Sequence, residues 1–194
     1  NEISTKQTER ALRWDEKNQP FSGTWPAWWM REYDNSEWRS GRTPIGYDLG
    51  NIRTNVKDSL NGISPSLYVI KKFQVGKEDS SSLRPLLLRI NYNDGFIAWL
   101  NGKEIARANN GIKNSHIYWD QVSYRASSTS TRLTNIRVGT ANDLLINGEN
   151  TIAIQLNNHN PLTSLRLDFA INIDETGTPD KVIVPTGSTV SFLP

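Results

Sequence analysis

Short, mainly hydrophobic stretches separated by polar turn residues fill the chain from about residue 67 onward. They are rich in β-branched and aromatic residues and are separated by Gly, Asn, Asp and Ser, which is typical of strands joined by turns. The pattern predicts strands at LYVIKKFQV, LLLRINY, FIAWL, KEIAR, HIYWDQVSY, NTIAIQL, LRLDFAINI and VIVP. Because no helical segments intervene, we predict an all-β protein built as an antiparallel β-sandwich.

The clearest local signal is a hairpin within residues 91–109, which turns on Asn101-Gly102. Asn-Gly is favoured in two-residue hairpins because both central residues need a positive φ. The alternation divides the first strand into two faces: Phe96, Ala98 and Leu100 against Ile97 and Trp99. We interpret this hairpin as part of the scaffold, since burying its larger side chains stabilises a sheet by roughly 1.5–3 kcal/mol each.

Residues 1–65 read as irregular, with frequent Gly, Pro, Asn, Asp and Ser and no sustained period. We predict one β-sandwich domain over residues 1–175, with residues 1–32 as an irregular, Trp-rich extension that packs on it. Residues 176–194 are expected to form a C-terminal strand or a linker toward a following domain. The chain is interpreted as a segment of a longer protein.

Composition removes several classes of function. The 194 residues carry 22 Lys and Arg against 20 Asp and Glu, without a Lys/Arg-rich run, which argues against duplex nucleic acid as a partner. The absence of cysteine excludes disulfides, Cys-ligated zinc and thiol nucleophiles. No apolar run approaches the ~20 residues of a membrane span.

Catalytic motifs are missing as well. The sequence has two histidines and none of the nucleophile-elbow, zincin or phosphate-loop motifs. A pair of glycosidase carboxylates can be far apart in the chain, so that alternative stays open. We nevertheless expect a non-catalytic protein.

Seven tryptophans are the compositional anomaly, and five of them fall within the first forty residues. Indole rings offer flat apolar faces for sugar rings at little entropic cost. The segment TWPAWWMREY therefore supplies the first set of candidate ligand-binding residues: Trp25, Trp28, Trp29 and Arg31. One or two of these rings could instead cover the sandwich core.

Two further segments combine aromatic or polar groups in the same way. If residues 117–125 form a strand, one of Tyr118 and Trp119 is buried and the other is available outside. The loop after NTIAIQL gathers amides and a histidine, which suit either sugar hydroxyls or an Asn-rich turn closed by Pro161. The candidates from both segments are Tyr118, Trp119, Tyr124, Arg125, Asn158, His159 and Asn160.

Four motifs, covering roughly residues 33–173, resemble those of galactose-binding-like jelly-roll modules. The family pattern has Asp-x-x-Trp then Pro-x-Gly-Tyr, a Tyr/Arg/Phe strand, a hairpin with Asp-Gly-Phe and Leu-Asn-Gly-x-Glu-x-Ala-Arg, and an Asn/Ala strand before a histidine loop. The matching residues are Trp38, Pro44, Gly46, Tyr47; Tyr68, Lys71, Phe73; Asn91, Tyr92, Asn93, Asp94, Gly95, Phe96, Trp99, Asn101, Gly102, Glu104, Ala106, Arg107; and Asn150, Ala153, His159. Lys71 replaces the family's Arg, and the TWPAWW segment lies outside the pattern.

The resemblance implies a jelly roll of the kind appended to secreted bacterial polysaccharide-active enzymes and surface proteins, so we expect an extracellular protein. It implies no required cofactor, although such modules often carry structural Ca²⁺. Asn93 stands where the family has its first Asp, which would weaken a cation site there. Carboxylates beside turns could bind Ca²⁺ or cap those turns: Asp34, Asp48, Asp94 and Asp143.

The leading hypothesis is a non-catalytic carbohydrate-binding module that targets a parent enzyme to a polysaccharide. Arginines near aromatic residues suggest an acidic polysaccharide, and a neutral one is equally open: Arg31, Arg39, Arg42 and Arg125. The alternative is a spacer or protein-interaction domain that packs against a neighbouring catalytic domain. A lyase or hydrolase is the third and least supported hypothesis.

Overall fold

The computed structural model describes residues 27–115, 117–127, 133–175 and 179–194. Within these ranges, twelve strands form two sheets that pack face to face, and three helices of four residues each connect them. The predicted all-β sandwich is therefore confirmed. In the described part of the chain, no helix is long and apolar enough to cross a membrane.

The strands are β1 (Arg39–Arg42), β2 (Ile45–Tyr47), β3 (Thr54–Asn55), β4 (Ser66–Val75), β5 (Pro85–Asn93), β6 (Gly95–Leu100), β7 (Lys103–Ala108), β8 (Thr134–Thr140), β9 (Gly148–Asn157), β10 (Leu165–Ile173), β11 (Lys181–Val184) and β12 (Thr189–Leu193). The helices are α1 (Lys57–Leu60), α2 (Lys77–Ser80) and α3 (Ala141–Leu144). The first sheet has the order β1-β12-β4-β9-β6-β7. The second has the order β3-β2-β10-β5-β8, with β11 also pairing with β10. All pairs are antiparallel except β2 with β3.

The core between the sheets is built by alternate residues of the long central strands. On β9, Ile152, Ile154 and Leu156 point inward, and Leu167 and Phe169 of β10 meet them from the second sheet. Antiparallel pairing of β4 with β9 over ten residues keeps this register fixed, since a slip by one residue would turn every apolar side chain outward.

The outer face of the first sheet is buried too. Tyr68 and Ile70 of β4, Ile97 and Trp99 of β6, and Ala153 of β9 form a second apolar cluster on this face. Trp28 and Trp38 from the N-terminal segment pack onto it, together with Ile117. The two faces predicted for the hairpin are therefore confirmed, but neither is exposed to solvent.

The hairpin turn itself follows the prediction. Asn101 has a φ of 52° and Gly102 a φ of 85°, as a two-residue turn of this type requires. The Asn101 side chain accepts a hydrogen bond from the backbone N–H of Thr151 (2.9 Å) and donates to the carbonyl of Leu144 (2.9 Å). The turn is thereby tied to the start of β9.

Two parts of the prediction differ from the structure. Residues 117–125 form a loop with a turn at Tyr118–Gln121 and not a strand. Strands β1, β2 and β3 lie within the region predicted to be irregular, and β8 was not predicted. Residues 176–194, predicted as a C-terminal strand or a linker, contain β11 and β12, and β12 lies between β1 and β4.

Replacing Trp28 by Ala should lower the free energy of unfolding by roughly 3–5 kcal/mol, because a fully buried ring leaves a cavity. The side chain is 1% exposed and contacts four other rings. Urea unfolding followed by circular dichroism measures the change. Leu83→Ala is the control, since Leu83 is 78% exposed and should change the value by less than about 0.5 kcal/mol. A loss at Trp28 as small as the control's would contradict this packing.

Candidate functional site

Trp28 is the centre of an aromatic cluster on the outer face of the first sheet. Its ring lies edge-on to Tyr68 (4.9 Å between centroids) and to Trp99 (5.4 Å), and stacks on Trp38 at 6.0 Å. Because these contacts bury the ring completely, Trp28 cannot stack on a ligand and is removed from the candidate set. Its physical role is to cover apolar strand residues that would otherwise face water.

The other candidates of the same segment differ in their exposure to solvent. Trp29 is partly exposed and stacks on Trp99 with centroids 5.4 Å apart. Arg31 is exposed and forms an ion pair with its neighbour Glu32 at 3.1 Å. Trp25 lies outside the described residues. Two side chains of the segment, Trp29 and Arg31, therefore remain accessible to solvent. The main role of the segment is to cover the outer face of the first sheet.

The most exposed aromatic residues lie in residues 117–127, which we name the aromatic loop. Tyr118 is 49% exposed, Trp119 50% and Tyr124 68%. The N–H of Gln121 donates to the carbonyl of Tyr118 (3.1 Å), which places Trp119 at the corner of a turn. The expectation that one of Tyr118 and Trp119 would be buried is wrong, because the loop does not join a sheet.

Side chains of β9 donate hydrogen bonds to the backbone of the aromatic loop. Gln155 donates from its amide to the carbonyl of Ile117 (3.3 Å), and Asn157 donates to that of Gln121 (2.9 Å). Gln155 is 2% exposed and Asn157 is fully buried. A buried amide is costly to leave unpaired, so these two bonds fix the backbone of the loop where its rings project outward.

A buried carboxylate fixes the far end of the loop. Asp94, at the β5–β6 turn, is 3% exposed. One of its oxygens accepts the N–H of Ser127 (2.9 Å), and the other accepts the N–H of His159 (2.8 Å). The aromatic loop and the loop that follows β9 are therefore bound to the same side chain.

The two loops also contact each other directly. The N–H of Ser123 donates to the carbonyl of Asn158 (3.1 Å), and Nδ1 of His159 lies 2.8 Å from the carbonyl of Ser123. A carbonyl oxygen only accepts hydrogen bonds, so Nδ1 carries a proton and Nε2 is left to face other groups. His159 is exposed. The structure thus joins two candidate segments that are more than thirty residues apart in sequence.

Asn158 and Asn160 have different roles in the second loop. Asn158 is 1% exposed, and its amide donates to the carbonyl of Thr163 (3.0 Å) while its oxygen accepts the Thr163 hydroxyl (2.9 Å). It stabilises the loop from inside and cannot contact a ligand, which corrects its assignment as a ligand-binding residue. Asn160 is exposed, and its side-chain oxygen accepts the N–H of Leu162 (3.0 Å).

The charges around the aromatic loop are few. Asp120 and Arg125 are both exposed there. Arg39 and Arg42 lie at a distance on β1, an edge strand of the first sheet, where they bond Ser59 (2.9 Å) and the carbonyl of Gly187 (3.1 Å). The four arginines considered in the sequence therefore do not form one basic surface.

The four carboxylates considered for Ca²⁺ are separately engaged. Asp34 accepts the N–H of Ser36 (2.9 Å) and Asp48 pairs with Lys57 (2.7 Å). Asp143 accepts the Thr140 hydroxyl, and Asp94 holds the two loops. Among the residues that the structure describes, no three His, Cys, Asp or Glu side chains are grouped so as to bind a metal ion. Each of the four carboxylates is therefore engaged by a different partner within the protein.

A groove of about 340 Å³ runs along β7, lined in part by Glu104, Arg107 and Lys113. Arg107 donates to both carboxylate oxygens of Glu104 (3.0 and 2.9 Å) and to the carbonyl of Ser115 (2.7 Å). Its remaining donors bond the Ser115 hydroxyl (3.0 Å) and the carbonyl of Asn110. Since its donors are used within the protein, this arginine fixes the loop after β7 and has none left for a ligand.

The sequence did not predict that four residues position the site: Asp94, Gln155, Asn157 and Ser123. One signal was available. Gln155 and Asn157 are polar residues at alternate positions of an otherwise apolar strand, and such residues are buried only when a specific partner satisfies them.

Asp94→Asn should lower the free energy of unfolding by roughly 1–3 kcal/mol, because the new amide would direct a donor at the N–H of Ser127 or of His159. Urea unfolding measures the loss. Asp48→Asn is the matched control, since the Asp48 side chain is 47% exposed and its ion pair contributes at most about 1 kcal/mol. Equal losses in the two variants would contradict the role given to Asp94.

Comparisons with known proteins give distant structural likeness. No family model and no curated protein matches the chain. Among solved structures, an α-L-rhamnosidase from Streptomyces avermitilis complexed with L-rhamnose has 14% identity and a TM-score of 0.43, covering 68% of this chain and 11% of that one. An α-L-rhamnosidase from Aspergillus terreus has 14% identity, a TM-score of 0.39, and coverage of 62% and 14%. A β-D-mannosidase from Dictyoglomus thermophilum has 13% identity, a TM-score of 0.33, and coverage of 80% and 30%. The chain thus spans less than a third of each of these proteins, and matches at this level carry no argument about function.

Proposed function

We propose that this chain is a non-catalytic carbohydrate-binding module that holds a parent enzyme on a polysaccharide. One observation supports this function above the others. Three aromatic side chains, each about half exposed or more, project from a loop whose backbone is fixed by buried hydrogen bonds: Tyr118, Trp119 and Tyr124. The saccharide binds on this loop and on the neighbouring loop that contains His159 and Asn160.

The physical reason is preorganisation. A sugar ring buries its C–H face on an indole or phenol ring, and the gain is reduced by whatever ordering the protein must undergo. Here the loop is already held by Gln155, Asn157 and Asp94. The aromatic side chains have only two torsions each to fix, so most of the stacking energy remains available for affinity.

Polar groups beside the rings give the site its orientation. Nε2 of His159 and the side chains of Asp120, Arg125 and Asn160 are candidates to bond sugar hydroxyls. Asp120 and Arg125 offset each other in charge. That balance favours a neutral saccharide over the acidic one suggested by the count of arginines.

We further propose that the chain acts outside the cell beside other domains of its own polypeptide. It works without a cofactor and releases no product from polysaccharide. A convergent pair of carboxylates at the aromatic loop would be needed for glycoside hydrolysis. Asp120 is the one carboxylate among the described residues of that loop.

A protein-docking function is the second candidate, and a specific observation favours it. Four aliphatic side chains are exposed in or near the two loops: Ile63 at 67%, Ile112 at 79%, Val122 at 44% and Leu162 at 70%. Aliphatic side chains give no electron-rich face for a sugar, and clusters of them mark interfaces between proteins. In that case the aromatic loop packs against a neighbouring domain.

Trp119→Ala and Tyr124→Ala should each weaken binding to a responsive polysaccharide by roughly 1–3 kcal/mol, because each removes a stacking face. The measurement is isothermal titration or affinity electrophoresis against neutral glucans, galactans and mannans and against uronate-containing polymers. Leu83→Ala, at the opposite end of the sandwich, is the control and should bind as the unchanged chain does. Absence of binding to every polymer would contradict the proposal, and shielding of Trp119 by a neighbouring domain would favour docking.

Two substitutions of His159 separate its anchoring from its contact with ligand. Asparagine places an amide near the position of Nδ1 and keeps the bond to Ser123, whereas glutamine places its amide near Nε2. We expect His159→Asn to preserve stability and to lose about 0.5–1.5 kcal/mol of affinity, the worth of one hydrogen bond. His159→Gln should retain more affinity and lose stability. Unchanged affinity in both variants would remove His159 from the site.

A further inference from the structure

Four Asn-Gly pairs occur in the sequence: Asn61-Gly62, Asn101-Gly102, Asn110-Gly111 and Asn147-Gly148. An asparagine followed by glycine is open to attack, because glycine has no side chain to shield its own backbone nitrogen. That nitrogen attacks the side-chain carbonyl carbon of the asparagine and ammonia leaves. Water then opens the resulting succinimide to aspartate or isoaspartate, so the reaction needs no oxidant, reductant or enzyme.

Two of the four side chains are held within the protein by hydrogen bonds. Asn101 is bonded through both amide atoms to Thr151 (2.9 Å), Leu144 (2.9 Å) and Asn150 (2.8 Å). Asn110 is 2% exposed, and its amide lies 2.8 Å from that of Asn157. To reach the succinimide, either side chain would first have to break these contacts.

The pair at Asn61 is held at its glycine. The Asn61 side chain is half-buried. The N–H of Gly62, which would be the attacking group, donates to the carbonyl of Pro161 (3.0 Å). Attack at this pair therefore requires this hydrogen bond to open.

Asn147 differs from all of these. It is exposed, and its side chain makes no hydrogen bond among the residues that the structure describes. A Cβ built on Gly148 would meet no atom within 4 Å, whereas on Gly102 it would lie 2.7 Å from the sulfur of Met30. The side chain of Asn147 is thus not held by a hydrogen bond, and the space around Gly148 is open.

We propose that Asn147 is the site of spontaneous deamidation in the folded protein. The reaction places a negative charge, or an isoaspartyl backbone with one extra methylene, in the turn that enters β9. This turn lies at the end of the sandwich opposite the aromatic loop, because Gly148 pairs with Val75 while Asn157 pairs with Ser66. The modification therefore leaves saccharide binding unchanged, and the proposal stands whether or not the chain binds a saccharide.

The test is incubation of the folded chain at mildly alkaline pH, followed by digestion and mass spectrometry of the peptides that carry each pair. We expect conversion at Asn147 to exceed that at each of the other three pairs by roughly tenfold or more, since closed structure suppresses a reaction that requires local opening. In denaturant the four rates should become similar, and Asn147→Gln should abolish the product at that position. Equal rates at the four pairs in the folded chain, or conversion at another pair while Asn147 stays intact, would overturn the proposal.

Discussion

The buried carboxylate of Asp94 is the constraint on which the functional end of this sandwich depends. A charged group that is removed from water must be satisfied by donors, and Asp94 takes them from Ser127 and His159, which belong to different loops. Its backbone carbonyl also accepts the side-chain amide of Asn109 (2.7 Å). Asp94 therefore connects both ends of the β7–β8 connection, at Asn109 and Ser127, to the loop that follows β9.

The same end of the molecule shows why β9 is polar at two outward positions. The outer face of the first sheet is apolar near Ile97 and Ala153 and is covered by the ring of Trp28. Further along β9, the residues on this face are Gln155 and Asn157. Their side-chain amides donate hydrogen bonds to backbone carbonyls of the aromatic loop. One strand thus supports an apolar cover at its middle and a hydrogen-bonded loop at its end.

The fold was largely predictable from sequence, because short β-branched or aromatic runs such as LYVIKKFQV, FIAWL and LRLDFAINI are a local property of buried strands. The predicted site was less well located. Trp28 and Trp119 look alike in sequence, and both lie beside other aromatic residues. Trp28 is buried because an apolar sheet face lies opposite it, whereas Trp119 is exposed because backbone groups around it are held by Gln155 and Asn157. Such partners are far apart in the chain, so no local pattern distinguishes the two rings.

The central claim is that the aromatic loop is held in one conformation before any ligand binds. Amide hydrogen exchange of the unliganded chain, resolved by residue, tests it most directly, because exchange reports the free energy of local opening. The account predicts slow exchange at Ser123, Tyr124, Ser127 and His159, whose N–H groups bond to Asn158, Asn109 and Asp94. Exchange of all four at the rate of an unfolded peptide, while the N–H groups of β9 remain protected, would contradict it.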